Sequence, residues 1–223
     1  MDKLNIFDVE IDCLTAKETM QRVMKYLETE SASVVEILTL DMLVQEQDDT
    51  QWKEFLQKMD LVIPGDCEIL KAAGGEDRTL LKEAENGSFL KMLFYYLHKN
   101  KKKVFLISPN EDILQRLVQD LQEYNSGIII IGSGILPEDG SREETVINDI
   151  NGVEADCVLS VLPSPRQEVF INKSQALLNT RLWIGCGNFL QLRSGNTSKS
   201  GRILRYFTKK IFQYRVGKEK KGQ

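Results

Sequence analysis

Short apolar runs alternate with longer amphipathic stretches along most of this 223-residue chain. Val34–Thr39, Leu61–Ile63, Val104–Ile107, Ile128–Ile131, Cys157–Leu162 and Leu182–Ile184 are β-branched and nearly continuous in hydrophobicity. That is the pattern of strands buried on both faces. The stretches between them predict helices. In Gln45–Met59 the apolar residues Trp52, Phe55, Leu56 and Met59 fall at helical spacing, and Phe89–His98, Glu111–Glu123, Arg142–Ile150 and Gln167–Leu178 behave alike. Asn5–Ile11 and Ala16–Leu27 read as a lead-in strand and helix. Strand–helix alternation of this kind predicts an α/β fold, a largely parallel sheet with helices on both faces.

Composition adds little until it is read by position. The net charge is −4, but residues 201–223 carry eight basic residues and one acidic residue, a net +7. The first 200 residues hold 21 basic against 32 acidic residues, a net −11. We therefore divide the chain into a main domain over 1–200 and a basic C-terminal appendage over 201–223. On a helical wheel Ile203, Leu204, Phe207, Ile211 and Tyr214 form one stripe, with Arg202, Arg205, Lys209 and Lys210 off it. A basic amphipathic helix with aromatics on its apolar face suits an anionic membrane surface; a terminal helix docked on the body is the alternative. The acidic body argues against nucleic acid as a partner. No apolar stretch approaches the roughly 20 residues needed to span a bilayer, and no signal peptide is visible, so the expected location is cytoplasmic, peripheral to the inner membrane face.

In open α/β sheets ligands bind beyond the carboxyl ends of strands. That rule directs attention to the segments around Thr39–Met42, Pro64–Glu68, Ser108–Asn110, Gly132–Leu136, Pro163–Glu168 and Gly185–Gly195. Gly132-Ser133-Gly134 and Gly185-Cys186-Gly187 follow apolar strands but complete neither a dinucleotide fingerprint nor a P-loop, so NAD and ATP are poorly supported. The single histidine, His98, leaves no Ser-His-Asp or zinc constellation to assemble. Four scattered cysteines without a CxxC pair read as free thiols.

Five of these segments carry a resemblance, in order and spacing. Ala155–Glu168 (ADCVLSVLPSPRQE) is similar to the strand, turn and P-K-Q-E signature of the WecG/TagA/CpsF glycosyltransferase family. Met59–Pro64 (MDLVIP) resembles the strand before its catalytic turn, and Leu38–Asp41 (LTLD) its T-x-N turn. Gly134–Leu136 falls where the family has G-Y-F, and Ile184–Gly195 resembles its glycine-bracketed segment.

The resemblance implies a Rossmann-like domain that moves an N-acetylmannosamine-like sugar, with inversion, from a UDP-sugar to a polyprenyl-diphosphate-linked acceptor in cell-surface polysaccharide synthesis. No metal or other cofactor is expected. Asp66, with Asp41 as a second candidate, would be the catalytic carboxylate. Thr39, Gly134, Pro165, Gln167, Glu168 and Gly187 would line the substrate, with Arg202 and Arg205 folding over the diphosphate. The resemblance leaves self-association open.

The chain departs from the pattern at four places. P-D-G has become Pro64-Gly65-Asp66, the family arginine falls on Ala84, the asparagine of T-x-N is Asp41, and a glycine before P-K-Q-E is Pro163. These changes support a second reading, a catalytically degenerate relative that binds nucleotide-sugar or a partner transferase as a scaffold. An inverting transfer needs a base to deprotonate the acceptor hydroxyl, and such help is typically worth about 10²–10⁴ in rate.

Overall fold

The computed structural model describes residues 3–188, 190 and 208–218. A two-stranded antiparallel hairpin opens the chain, β1 (Lys3–Ile6) and β2 (Val9–Asp12). It turns through Phe7 and Asp8, whose φ angles of 53° and 63° lie in the left-handed region. The expected lead-in strand is thus a hairpin. Helix α1 (Ala16–Tyr26) follows, started by a capping box between Thr15 and Glu18.

The domain then alternates as its pattern requires: β3 (Ser33–Leu38), α2 (Leu40–Glu46), α3 (Thr50–Gln57), β4 (Leu61–Pro64), α4 (Cys67–Ala72), α5 (Arg78–Asn86), α6 (Ser88–Lys99), β5 (Lys103–Ser108), α7 (Glu111–Tyr124), β6 (Ile129–Ile135), α8 (Glu143–Val153), β7 (Cys157–Ser160), α9 (Arg166–Ser174), a 3₁₀ turn (Gln175–Leu177) and β8 (Leu182–Gly185). A last helix, α10, spans 208–218. Six strands form one all-parallel sheet in the order β4-β3-β8-β7-β5-β6. All six strand expectations correspond to its members.

The helix expected over Gln45–Met59 is two helices. Asp49 accepts hydrogen bonds from Gln51 N and Trp52 N at 2.8 and 3.1 Å, so a new helix begins there. Helices cover both faces of the sheet. On one, Val35, Ile37, Leu106, Leu159 and Ile184 pack beneath α1, α6 and α7. On the other, Val34, Phe105, Val158 and Trp183 meet Phe170 and Ile171 of α9 and Val146 and Ile150 of α8.

The hairpin, α2, α3 and α10 share a third apolar cluster. Phe212 of α10 is 1% exposed and meets Phe7 edge to face, with ring centroids 6.0 Å apart. Of the apolar stripe expected to face an anionic membrane surface, Ile211 and Tyr214 are 44% and 74% exposed. Thr208, Phe212 and Val216, spaced four apart, form the docked face instead. The other stripe residues, Ile203, Leu204 and Phe207, lie outside the described residues. Among the described residues no helix is long and apolar enough to cross a membrane.

Candidate functional site

Because the sheet is parallel, every strand delivers its carboxyl end to one edge. β3 lies between β4 and β8, and β8 neighbours β7, so four loops meet there. They carry Thr39–Asp41, Gly65–Glu68, Pro163–Glu168 and Cys186–Asn188. Backbone bonds extend the ladder into them: Gly65 N donates to Leu38 O at 2.8 Å, and Cys186 N to Ser160 O at 2.9 Å.

Thr39 and Asp66 each begin a helix. Thr39 Oγ1 accepts from Met42 N at 3.3 Å and starts α2. Asp66 Oδ1 accepts from Glu68 N at 3.0 Å and starts α4. Asp41, in the first turn of α2, accepts from Asn188 Nδ2, joining the first and last of the four loops. The other amide atom, Asn188 Oδ1, is buried with no partner among the described residues. Gly187 adopts φ +48°, and a Cβ there would lie 2.7 Å from Met42 Cε. This glycine is needed both for its backbone angle and for the close approach of α2.

The carboxylate next along, Glu68, lies between Lys71 at 3.2 Å and Lys209 of α10 at 3.0 Å. Burial pushes its carboxyl upward, but the two ammonium groups prevail and hold it below the ordinary carboxylate value. Arg215 of α10 also donates to Val44 O at 2.7 Å. The appendage helix therefore binds the elements that follow β3 and β4. Arg202 and Arg205, expected over the diphosphate, lie outside the described residues.

A shallow hollow of about 40 Å³ opens beside the β3 and β4 ends, lined among others by Cys13, Ile37, Pro64, Glu83, Ala84 and Ser88. Ala84, where the resemblance places an arginine, thus contributes a methyl group to its wall. The nearest carboxylate, Glu83, accepts from Ala16 N at 2.7 Å and serves the start of α1.

Gln167 and Glu168 are buried, with no exposed surface. Expected against substrate, they bond the protein instead. Glu168 Oε1 accepts from Trp52 Nε1 at 2.9 Å and Ser164 Oγ at 2.8 Å, tying α9 to α3 and to its own entry turn. Gln167 Nε2 donates to Glu36 Oε1 at 2.7 Å, tying α9 to the middle of β3.

Burial drives the Glu36 carboxyl well above its ordinary value; the Glu168 charge adds to this and the Gln167 bond opposes it. Burial also raises Glu168, against its bonds from Trp52 and Ser164.

The rest of the α9 entry faces outward. Pro165 is exposed and precedes the first helical residue. Arg166 donates Nη2 to Pro137 O, while its Nη1 is buried with no partner among the described residues. Gly134 sits apart, inside edge strand β6, with β8, β7 and β5 between it and β3. A Cβ there would approach Val146 to 3.1 Å, which gives that glycine a packing reason.

The structure thus brings Thr39, Asp41, Asp66, Pro165 and Gly187 to one edge, places Gln167 and Glu168 beneath it, and leaves Gly134 outside. Sequence reasoning passed over Glu36, Trp52 and Asn188. A carboxylate inside an otherwise apolar strand was the available signal for Glu36.

An open parallel sheet with polar loops gathered at its carboxyl edge defines a Rossmann-like ligand-binding protein. Comparison with known proteins narrows the class. The profile described as "Glycosyl transferase WecG/TagA/CpsF family" matches residues 4–220, so the chain belongs to that family. It is also similar to the N-acetylglucosaminyldiphosphoundecaprenol N-acetyl-beta-D-mannosaminyltransferase of Bacillus subtilis (strain 168), with 21% identity over 177 residues, 78% of this chain and 68% of that protein.

Proposed function

We propose that this glycosyltransferase moves an N-acetylmannosamine-like sugar, with inversion, from a UDP-sugar to an acceptor sugar on a polyprenyl diphosphate. The observation that carries the reading is the meeting of the Thr39, Asp66, Pro165 and Gly187 loops at one sheet edge. The relative whose name describes such a transfer supports the choice of donor and acceptor. Asp66 takes the proton of the attacking hydroxyl, and Asp41, held by Asn188, is the second carboxylate within the loop cluster. The diphosphate leaves toward the α9 entry, where the Arg166 guanidinium supplies positive charge. The exposed Ile211 and Tyr214, with Lys210 and Lys218 on the same helix, meet an anionic membrane at which a lipid-linked acceptor resides.

Purified protein with liposomes, a polyprenyl-diphosphate sugar and a panel of UDP-sugars tests this by release of UDP. Turnover with an N-acetylhexosamine donor is expected, and none with any donor overturns it. The scaffold reading has one observation in its favour: Ala84 puts a methyl where the resemblance expects a cation. It predicts UDP binding without turnover.

A further inference from the structure

We infer that Glu36 is a positioning residue of this site: through the side chain of Gln167 it fixes the Pro163–Arg166 turn at the mouth of the sheet. The inference rests on the transferase reading for what that turn does, and on geometry for how it is held.

Glu36 occupies the central part of β3, paired with Val62 of β4 on one side and Gly185 of β8 on the other. Neither it nor Gln167 exposes any surface. A carboxyl in a strand covered on both faces is expensive unless bonded, and an apolar residue would stabilise the sheet more. The rest of the fold is arranged to admit it. Position 185 is glycine, and a Cβ there would fall 2.0 Å from Glu36 Oε2 and 2.6 Å from Gln167 Nε2. The missing side chain of β8 is therefore the space in which the two groups meet.

Gln167 is the second residue of α9, and its backbone N–H donates to Pro163 O at 3.1 Å. The same residue thus grips β3 with its side chain and closes the entry turn with its backbone. Ser164, inside that turn, is held in parallel by Glu168, whose own anchor is Trp52. Beneath the turn three side-chain oxygens, Glu36 Oε2, Gln167 Oε1 and Glu168 Oε2, are buried with no hydrogen-bond partner among the described residues. A network left this incomplete is poor as a stability device. Such a network fits a group that sets geometry rather than one that holds the fold together.

The test compares Glu36→Leu, Glu36→Gln, Gln167→Leu and the double variant E36L/Q167L. Each is read by calorimetric Kd for UDP, donor KM and kcat, and by ¹⁵N NMR of the Gln167 side-chain amide. Positioning predicts that E36L raises Kd and KM roughly tenfold, the usual effect of orphaning one buried hydrogen-bond partner, with kcat little changed. E36Q keeps the acceptor and stays within about threefold of the parent, well inside that effect. Adding E36L to Q167L changes nothing further, because the effect passes through Gln167.

A role in stability alone would reduce the folded fraction, lowering kcat with KM and Kd unmoved; that result overturns the inference. So would E36Q behaving like E36L, or additive losses in the double variant. If the parent binds UDP but never turns over, the transfer reading fails while the Kd series still decides the role of Glu36. If the parent binds no UDP, the positioning role falls with the site, and the amide NMR shows only whether the lock exists.

Discussion

Lys209 Nζ lies 3.0 Å from the carboxylate of Glu68, joining α10 to the helix that Asp66 starts. Glu68 and Lys209 are partly exposed, so the pair is worth about 0.2–1 kcal/mol and weakens with salt. Phe212, 1% exposed against Phe7, is the stronger attachment. Truncating a buried phenylalanine costs about 3–5 kcal/mol, and a helix this short is marginal on its own. Phe212→Ala should therefore abolish hydrogen-exchange protection across 208–218 while β3 and β8 keep theirs. Lys209→Ala should reduce that protection only slightly.

Asp66 does two jobs that substitution can separate. As the cap of α4 it accepts from Glu68 N, which an asparagine oxygen can also do. As a base it needs a carboxylate. Asp66→Asn should leave the melting temperature close to the parent and lower kcat by two decades or more, within the usual range for a general base. Asp66→Ala should lose the same activity and about 1 kcal/mol of stability besides. Asn at parental activity would remove Asp66 from the mechanism.

The sheet was legible because its strands are hydrophobic on both faces, a signal that Val34–Thr39 and Cys157–Leu162 carry without help from context. The helices were legible where one face is apolar over several turns, as in α6 and α7. They were not where capping interrupts the pattern, as at Asp49. Nor was α5 expected: its apolar face, Leu80, Leu81 and Ala84, is short and none of its residues is fully buried. At the site, Thr39 and Asp66 follow from their places after strands. The burial of Gln167 and Glu168 did not, because it depends on Glu36 and Trp52, respectively 131 and 116 residues away in sequence. On α10 the apolar stripe was visible, but Phe212, off that stripe, docks the helix because Phe7 is there to meet it.

The raised carboxyl of Glu36 gives stability an unusual pH dependence. A carboxyl raised in the folded state and ordinary in the unfolded chain binds more protons when folded. Its contribution is fully present below the ordinary value of 4.5 and is lost as pH rises through the folded value. Glu168, also raised, acts in the same direction. Glu36→Gln cannot ionise, so it should melt higher than the parent at pH 8, by roughly 2–4 °C for each kcal/mol recovered. Below pH 4.5 that gap should close. A gap independent of pH would mean that Glu36 is not the titrating group.

Gly185 offers a check on the same arrangement from the opposite strand. It is fully buried, and an added methyl meets Glu36 Oε2 at 2.0 Å and Gln167 Nε2 at 2.6 Å. Both are ends of side chains, but neither has solvent into which to retreat. Gly185→Ala should therefore destabilise the domain by roughly 1–3 kcal/mol, the usual range for overpacking. Glu36→Ala alone should also destabilise, since it empties the space and leaves the Gln167 amide unpaired. The two changes are complementary: the alanine at 185 occupies room that the shortened side chain at 36 vacates. The double variant should be more stable than the sum of the singles implies, by about 1 kcal/mol, in urea unfolding. Strict additivity would place the strain of Gly185→Ala somewhere other than the Glu36–Gln167 contact.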